Sequence, residues 1–259
     1  MTTDSAQPAA SLSDVRTARL RAATDFASSR WLQFEITDQR AFAFRGGQYV
    51  IVDTGLLLPD GRPRRRAYSM LSQDQSGAHF ELGVFRLAGG LGCNWLHQLA
   101  LNGELHFSGP WGKLAAPGAD ARGPVWVIAT DSGPSAALGL CHGRSFEPHR
   151  ARTELQIWTP SPDYFLDHAF IRSHAATCAA LEFRTLGPIG SERRLAQIHE
   201  WALQLLARHV PEHVYLLGDG AVTRSIVKLL LEHGVDPARI QVETFFNHVE
   251  RKPNATRAA

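Results

Sequence analysis

Two short stretches in the first half of this sequence carry residue types that could do chemistry. Arg64-Arg65-Arg66-Ala67-Tyr68-Ser69-Met70 runs fixed positive charge directly into an aromatic ring and a hydroxyl. On an extended strand, Arg66-x-Tyr68-Ser69 offers a guanidinium for phosphate, a ring to lie on a flat heterocycle, and a hydroxyl for a ring nitrogen. Gly89-Gly90-Leu91-Gly92-Cys93 stands just before a helical pattern. Such a turn presents unpaired backbone N–H groups at the positive end of a helix dipole, which suits a diphosphate. One domain would thus contain two anion-binding elements.

Length and composition limit what can surround them. With 259 residues the chain can form two domains, each with its own core. It has 27 Lys and Arg against 25 Asp and Glu, for a net charge of +2. No global field therefore draws it to nucleic acid, although Arg62 and Arg64, Arg65 and Arg66 form a local basic patch. No apolar run is long enough to span a bilayer. Residues 1–14 are small and polar, lack the basic start and apolar middle of a secretory signal, and read as a flexible tail. Cys93, Cys141 and Cys178 are far apart and odd in number, which fits the reducing cytoplasm. Three thiols are too few for an iron–sulfur cluster, so any such centre belongs to a separate partner. The 12 His show no metal-ligand spacing, and no metal is expected.

From residue 15 to about residue 109 the apolar period is two. Leu32, Phe34 and Ile36 alternate with Gln33, Glu35 and Thr37, and Phe80, Leu82 and Val84 alternate with Glu81, Gly83 and Phe85. Further strands are expected over 48–53, 65–71 and 104–107, with one helix over 93–101, in the pattern of a small antiparallel β-barrel. Residues 115–124 are rich in breakers and without period. The expected layout is a tail over 1–14, a barrel domain over 15–115, a linker over 116–124, and a second domain with a C-terminal tail over 125–259. In the second domain strands over 125–130, 154–159, 181–185, 213–218 and 240–245 alternate with helices from 134 and over 164–174, 192–208 and 222–233. That order predicts a parallel sheet with crossover helices. In the helix over 192–208, Leu195, Ile198, Ala202, Leu205 and Leu206 form the apolar face and Ser191 caps the start. Arg193 and Arg194 could reach over to the nucleotide from this unit, although Arg at a helix start more often lies on a solvated face.

Gly47-Gln48-Tyr49, Arg66-Ala67-Tyr68-Ser69, Gly89-Gly90-Leu91-Gly92-Cys93, Gly109-Pro110-x-Gly112 and Val242-Glu243-Thr244-Phe245 follow one another in an order that resembles the ferredoxin–NADP reductase family. The resemblance implies a Greek-key barrel that binds FAD and a second domain of the NAD(P)-binding type, passing electrons between a nicotinamide and a one-electron carrier. By it, Arg66 and the N–H groups of the Gly90-Leu91-Gly92-Cys93 turn would hold flavin phosphates. Ala67 and Tyr68 would line the isoalloxazine, Ser69 would hydrogen-bond near its N5, and Phe245 would cover its other face. Glu243 would position the nicotinamide or relay protons, and Thr130 would belong to the nucleotide turn.

The second domain departs from that family pattern. Where relatives read Gly-Thr-Gly-Ile-Ala-Pro, this chain has Ala129-Thr130-Asp131-Ser132-Gly133-Pro134, and where they read Cys-Gly-Pro it has Leu217-Gly218-Asp219-Gly220. Asp131 either brings bulk and negative charge into the nucleotide cleft or caps the next helix and points away. Cys93 replaces the usual Ser or Thr. After the second strand, Trp158-Thr159-Pro160-Ser161-Pro162-Asp163 offers no Arg for a ribose phosphate, which favours NADH over NADPH. The leading expectation is an FAD-dependent oxidoreductase that takes electrons from a reduced nicotinamide and delivers them to a separate ferredoxin-like protein or oxygenase component. The alternatives are a flavoprotein of this fold reduced by another donor or partner, and a non-catalytic binding or assembly module.

Overall fold

The computed structural model describes residues 15–38, 40–72, 77–87, 90–175 and 178–246. The tail over 1–14, Gly89 of the glycine turn and residues 247–259 lie outside them. Six antiparallel strands form the first sheet: β1 (Arg16–Asp25), β2 (Ser29–Ile36), β3 (Tyr49–Leu57), β4 (Pro63–Ser69), β5 (His79–Phe85) and β6 (Glu104–Trp111). Their order is β4-β3-β6-β1-β2-β5, and a bridge between Met70 and Leu82 brings the two edges together, so the sheet curls into a barrel. Alternation does the sorting, since Leu32, Phe34, Phe80, Leu82 and Val84 all point inward with no exposed surface. β1 has no clear apolar alternation because its inward positions include Ala18 and Arg16. The Arg16 guanidinium is kept inside by Asp38 at 2.7 Å and lies 5.0 Å from the Phe42 ring centroid.

The barrel's helix α1 (Leu91–Gln98) starts two residues before the expected position. It ends before Leu101 because Leu99 is already extended and Asn102 adopts φ +66°, which together turn the chain into β6.

The second sheet is parallel, with strands β7 (Val125–Thr130), β8 (Thr153–Thr159), β9 (Ala180–Thr185), β10 (His213–Asp219) and β11 (Ile240–Phe246) in the order β11-β10-β7-β8-β9. Helices α2 (Pro134–His142), α3 (His168–His174), α4 (Glu192–Arg208) and α5 (Gly220–Glu232) make the crossovers. α3 is shorter than its apolar pattern suggests, because Asp167 accepts the Ala169 N–H at 2.6 Å and starts the helix there. Residues Arg144–Arg152 form a 3₁₀ segment around Pro148 that no periodicity announces. On α4 the buried face is Arg194, Ile198, Ala202, Leu205 and Leu206, whereas Leu195 is 44% exposed. The expected face is therefore corrected at one position, where an arginine replaces a leucine. Strand order reverses between β7 and β10, and the crevice outside the carboxyl ends of these two strands is where open α/β sheets bind ligands.

The sheets meet along a seam where glycines allow close approach and aromatic rings pack beside them, Phe26 and Trp31 on Phe170 and Phe85 on Tyr164. Gly139 of α2 packs so closely on the Met70 carbonyl, just after β4, that a Cβ there would overlap it. Gly83 of β5 similarly faces Ser135 Oγ, and Ser29 Oγ donates to the Phe165 carbonyl at 2.6 Å. His142 Nδ1 lies 2.9 Å from the Leu71 carbonyl, and Leu71 belongs to the core of α2 and the second sheet. Gly139→Ala is expected to cost about 1–3 kcal/mol in urea unfolding, the usual cost of overpacking. An unchanged midpoint would show that the seam yields.

Candidate functional site

β4 carries the first set of residues and pairs with β3 in the register Ser69 opposite Tyr49, Tyr68 opposite Val50 and Arg66 opposite Val52. Ser69 is buried, Tyr68 half-buried, and Arg66 and Ala67 exposed. The basic run is not uniform. Arg62 pairs with Asp60 at 2.6 Å and Arg65 with Asp53 at 3.1 Å. Arg66 donates to the Arg65 carbonyl at 2.9 Å and, among the described residues, meets no carboxylate. Arg64 Nε is buried without a hydrogen-bond partner.

Arg66 lies against α1, where a Cβ on Gly92 would sit 3.4 Å from its Cγ and 3.6 Å from Thr54 Cγ2. The absence of a side chain at residue 92 leaves the stem of Arg66 lying along the helix start. α1 has Gly90 as its N-cap, with no capping side chain and no acidic residue in its first turn. Leu91 is exposed beside it. Cys93 turns inward, its thiol donating to the Gly90 carbonyl at 3.0 Å, and packs with the barrel core. It acts as a small buried side chain that closes the turn. Tyr68 packs on the same core. Burial pushes its phenol well above the usual range, with Cys93 adding to the shift and Arg66 opposing it.

Arg66, the uncapped start of α1 and Tyr68 thus form one locus with a guanidinium and a helix N-terminus and, among the described residues, no carboxylate on that guanidinium. Those features fit the diphosphate and ring of FAD.

The far end of the second sheet supplies the rest. Glu243, on β11, stands opposite Leu217 of β10, and its Oε2 is buried without a partner. Burial pushes this carboxyl up to about 7. Phe245, two residues on, packs on the core that includes Leu71 and Ala136. Thr130, at the end of β7, is buried, and its Oγ1 accepts the Asp219 N–H at 3.1 Å, so this hydroxyl ties the two central strands together.

Asp131 does not cap the following helix, and a buried arginine answers its charge. Asp131 adopts φ +58°, is 1% exposed, and leaves α2 without a side-chain cap. Its carboxylate pairs with Arg194, which reaches over from the first turn of α4 and is itself 2% exposed. Arg194 also donates to the Gly187 carbonyl at 3.2 Å and approaches Asp219 Oδ2 at 3.8 Å, while Asp219 Oδ1 caps α5 through the Ala221 N–H. Burial raises the Asp131 carboxyl above its usual range, although Arg194 stands beside it. The expected solvated surface for Arg194 is therefore overturned. Its signal was present in the sequence, because 194, 198, 202 and 205 continue the helical stripe that 195 leaves.

Glu243 gives a testable pH dependence. The native carboxyl titrates at about 7 and the unfolded one near the ordinary 4.5. Between those values the native state keeps a proton that the unfolded chain releases. Stability therefore falls through this group as pH rises, by at most about 3 kcal/mol, and is flat above. Without added FAD, Glu243→Gln is expected to melt higher than the parent at pH 8 and together with it at pH 4. Equal melting at both would show that the carboxylate is well solvated.

Comparison with known proteins agrees with this geometry. Residues 19–115 match the family model of the oxidoreductase FAD-binding domain. The chain is 39% identical over 106 residues to ferredoxin–NADP reductase B of Sorangium cellulosum, a match that covers 40% of this chain and 41% of that protein. The chain thus spans less than half the length of that curated relative. Among solved structures, the cytochrome P450 reductase GcoB of Amycolatopsis superposes with a TM-score of 0.68 at 22% identity, over 89% of this chain and 69% of that one. The ferredoxin reductase in carbazole 1,9a-dioxygenase superposes with a TM-score of 0.70 at 18% identity, over 90% and 70%. Residues 19–115 thus resemble the oxidoreductase FAD-binding domain, and the described chain shares its two-domain fold with the cytochrome P450 reductase GcoB and the ferredoxin reductase in carbazole 1,9a-dioxygenase.

Proposed function

We propose that the protein is an FAD-dependent oxidoreductase that takes electrons from a reduced nicotinamide, NADH in preference to NADPH, and passes them to a separate one-electron carrier. The observation that carries this reading is the locus of Arg66, the uncapped start of α1 and Tyr68, where no carboxylate among the described residues meets the guanidinium. When bound, the FAD supplies a centre that accepts electrons in pairs and releases them singly. Arg66, with the N–H groups of Gly92 and Cys93 in the Gly90–Cys93 turn, would hold its diphosphate. Ala67 and Tyr68 would line the isoalloxazine from the barrel side, with Phe245 on the opposite side. Ser69 would offer its hydroxyl to N5, and Glu243 would hold a proton near neutral pH at the same edge. Thr130 would contribute through strand spacing, since its hydroxyl is already engaged.

Preference for NADH follows from the turn after β8. There Asp163 accepts from Ser161 Oγ at 2.6 Å, and residues 160–167 contain no Arg or Lys. A carboxylate at that position favours a ribose diol over a ribose phosphate. The carrier would be a ferredoxin-like protein or an oxygenase component, in keeping with the reductases among the similar structures. The basic run on β4 would steer an acidic partner toward the flavin edge. No helix among the described residues is long and apolar enough to cross a membrane, and the free cysteines suit a cytoplasmic setting.

A second reading keeps the FAD and replaces the nicotinamide by another donor. It is favoured by the Asp131–Arg194–Asp219 cluster, which fills the place between β7 and β10. One titration decides between them. The purified protein, reconstituted with FAD, is expected to lose its visible flavin band on anaerobic addition of NADH, and more slowly with NADPH. Bound flavin that neither nucleotide bleaches would establish the second reading, and a protein that takes up no FAD would leave only a binding or assembly role.

A further inference from the structure

The strongest unexplained feature of the molecule is the ion cluster at the switch point. A buried pair retained only for structure usually has its remaining polar atoms satisfied, because each unpaired atom keeps a desolvation cost. Here Asp131 Oδ1 and Arg194 Nε are both buried and, among the described residues, lie within ordinary hydrogen-bond distance of no partner, although the Thr130 hydroxyl stands near the Asp131 carboxyl. Asp131 is also held in the left-handed region, at φ +58°. Asp219 is occupied with α5 and stands 3.8 Å from the guanidinium, so Asp131 is the carboxylate that holds it. With both acids ionised the three groups sum to one negative charge. An incoming diphosphate is repelled as long as Asp131 stays.

We propose that Asp131 is a positioning residue that keeps Arg194 shut across the crevice between β7 and β10, and that a dinucleotide enters by exchanging one of its phosphates for the Asp131 carboxylate on Arg194. The guanidinium presents a fork of Nε and Nη2 on one side, which matches two phosphate oxygens. Asp131 engages Nη2 and leaves Nε empty. A phosphate would take both. Crowding supports exchange over simple addition, because α2 starts so close to β10 that a Cβ on Gly133 would overlap the Leu217 carbonyl. No covalent bond is made or broken. The inference rests on the nicotinamide reading above and names the residue pair that decides how tightly the nucleotide is held.

The test separates binding from electron transfer. ADP-ribose, which carries the diphosphate and no nicotinamide, is titrated calorimetrically into the FAD-reconstituted protein, into Asp131→Asn, and into Asp131→Asn/Arg194→Met. The double variant is used because Arg194→Met alone would leave two buried carboxylates facing each other. Asp131→Asn is expected to bind about tenfold tighter or more, the scale of one charge-assisted hydrogen bond, and the double variant to lose that gain. In stopped-flow reduction by NADH, Asp131→Asn is expected to lower the half-saturating concentration and leave the limiting rate unchanged. Equal ADP-ribose affinity in parent and Asp131→Asn, no binding to any form, or a double variant that binds as tightly as the single would each overturn the exchange. If ADP-ribose binds as expected but NADH bleaches no form, the exchange stands and the nicotinamide donor fails.

Discussion

The close approach of α2 to the end of β4 is the constraint on which the rest of the site depends. Gly139 lets the helix rest directly on the Met70 carbonyl, and Leu71, next in the chain, is drawn into the core of the second sheet. The strand that carries Arg66, Tyr68 and Ser69 is thereby continuous with the packing of the helix that follows β7. Backbone-to-backbone contact leaves little freedom to slide, since close-packed interiors transmit a displacement instead of absorbing it. Gly83 against Ser135 and Ser29 against Phe165 fix the same seam at a second place.

On the barrel side Arg16, Arg62 and Arg65 are paired with carboxylates, but Arg66 meets none among the described residues and the first turn of α1 has no cap. The parallel sheet answers its own charges, with Arg194 enclosed by Asp131 and Asp219. An unanswered cation at a helix start favours a phosphate, whereas a cation already paired in a desolvated site must first be released. The first kind of cation is open to a flavin phosphate, whereas under the exchange proposed above a nucleotide would have to compete for the second. Glu243 stands on the same sheet with a carboxyl that burial alone has made weakly acidic, a state suited to holding a proton at neutral pH.

Much of the architecture is legible in the sequence because period and punctuation are local. The strand over Val125–Thr130 and the helix over Glu192–Arg208 fall where their apolar patterns and the Ser191 cap place them. β1 is harder to see, since Ala18 and Arg16 fill inward positions that an alternation rule assigns to large apolar residues. The 3₁₀ segment around Pro148 has no period to read. At the site, residue types announce the flavin locus, but the state of each arginine does not follow from type: Arg62 and Arg65 are neutralised by nearby acids and Arg66 is not. Arg194 shows the limit most clearly. A charged residue in a first turn reads as solvated until a carboxylate 63 positions away is found beside it.

FAD is proposed to lie between β4 and the end of β11, with its diphosphate on Arg66 and the start of α1. A crystal structure of the FAD complex tests it most directly. Density is expected for the isoalloxazine between Tyr68 and the Glu243–Phe245 end of β11, with the Arg66 guanidinium within hydrogen-bond distance of a phosphate oxygen. Flavin seated elsewhere, or Arg66 turned to solvent with the diphosphate on other residues, would contradict it.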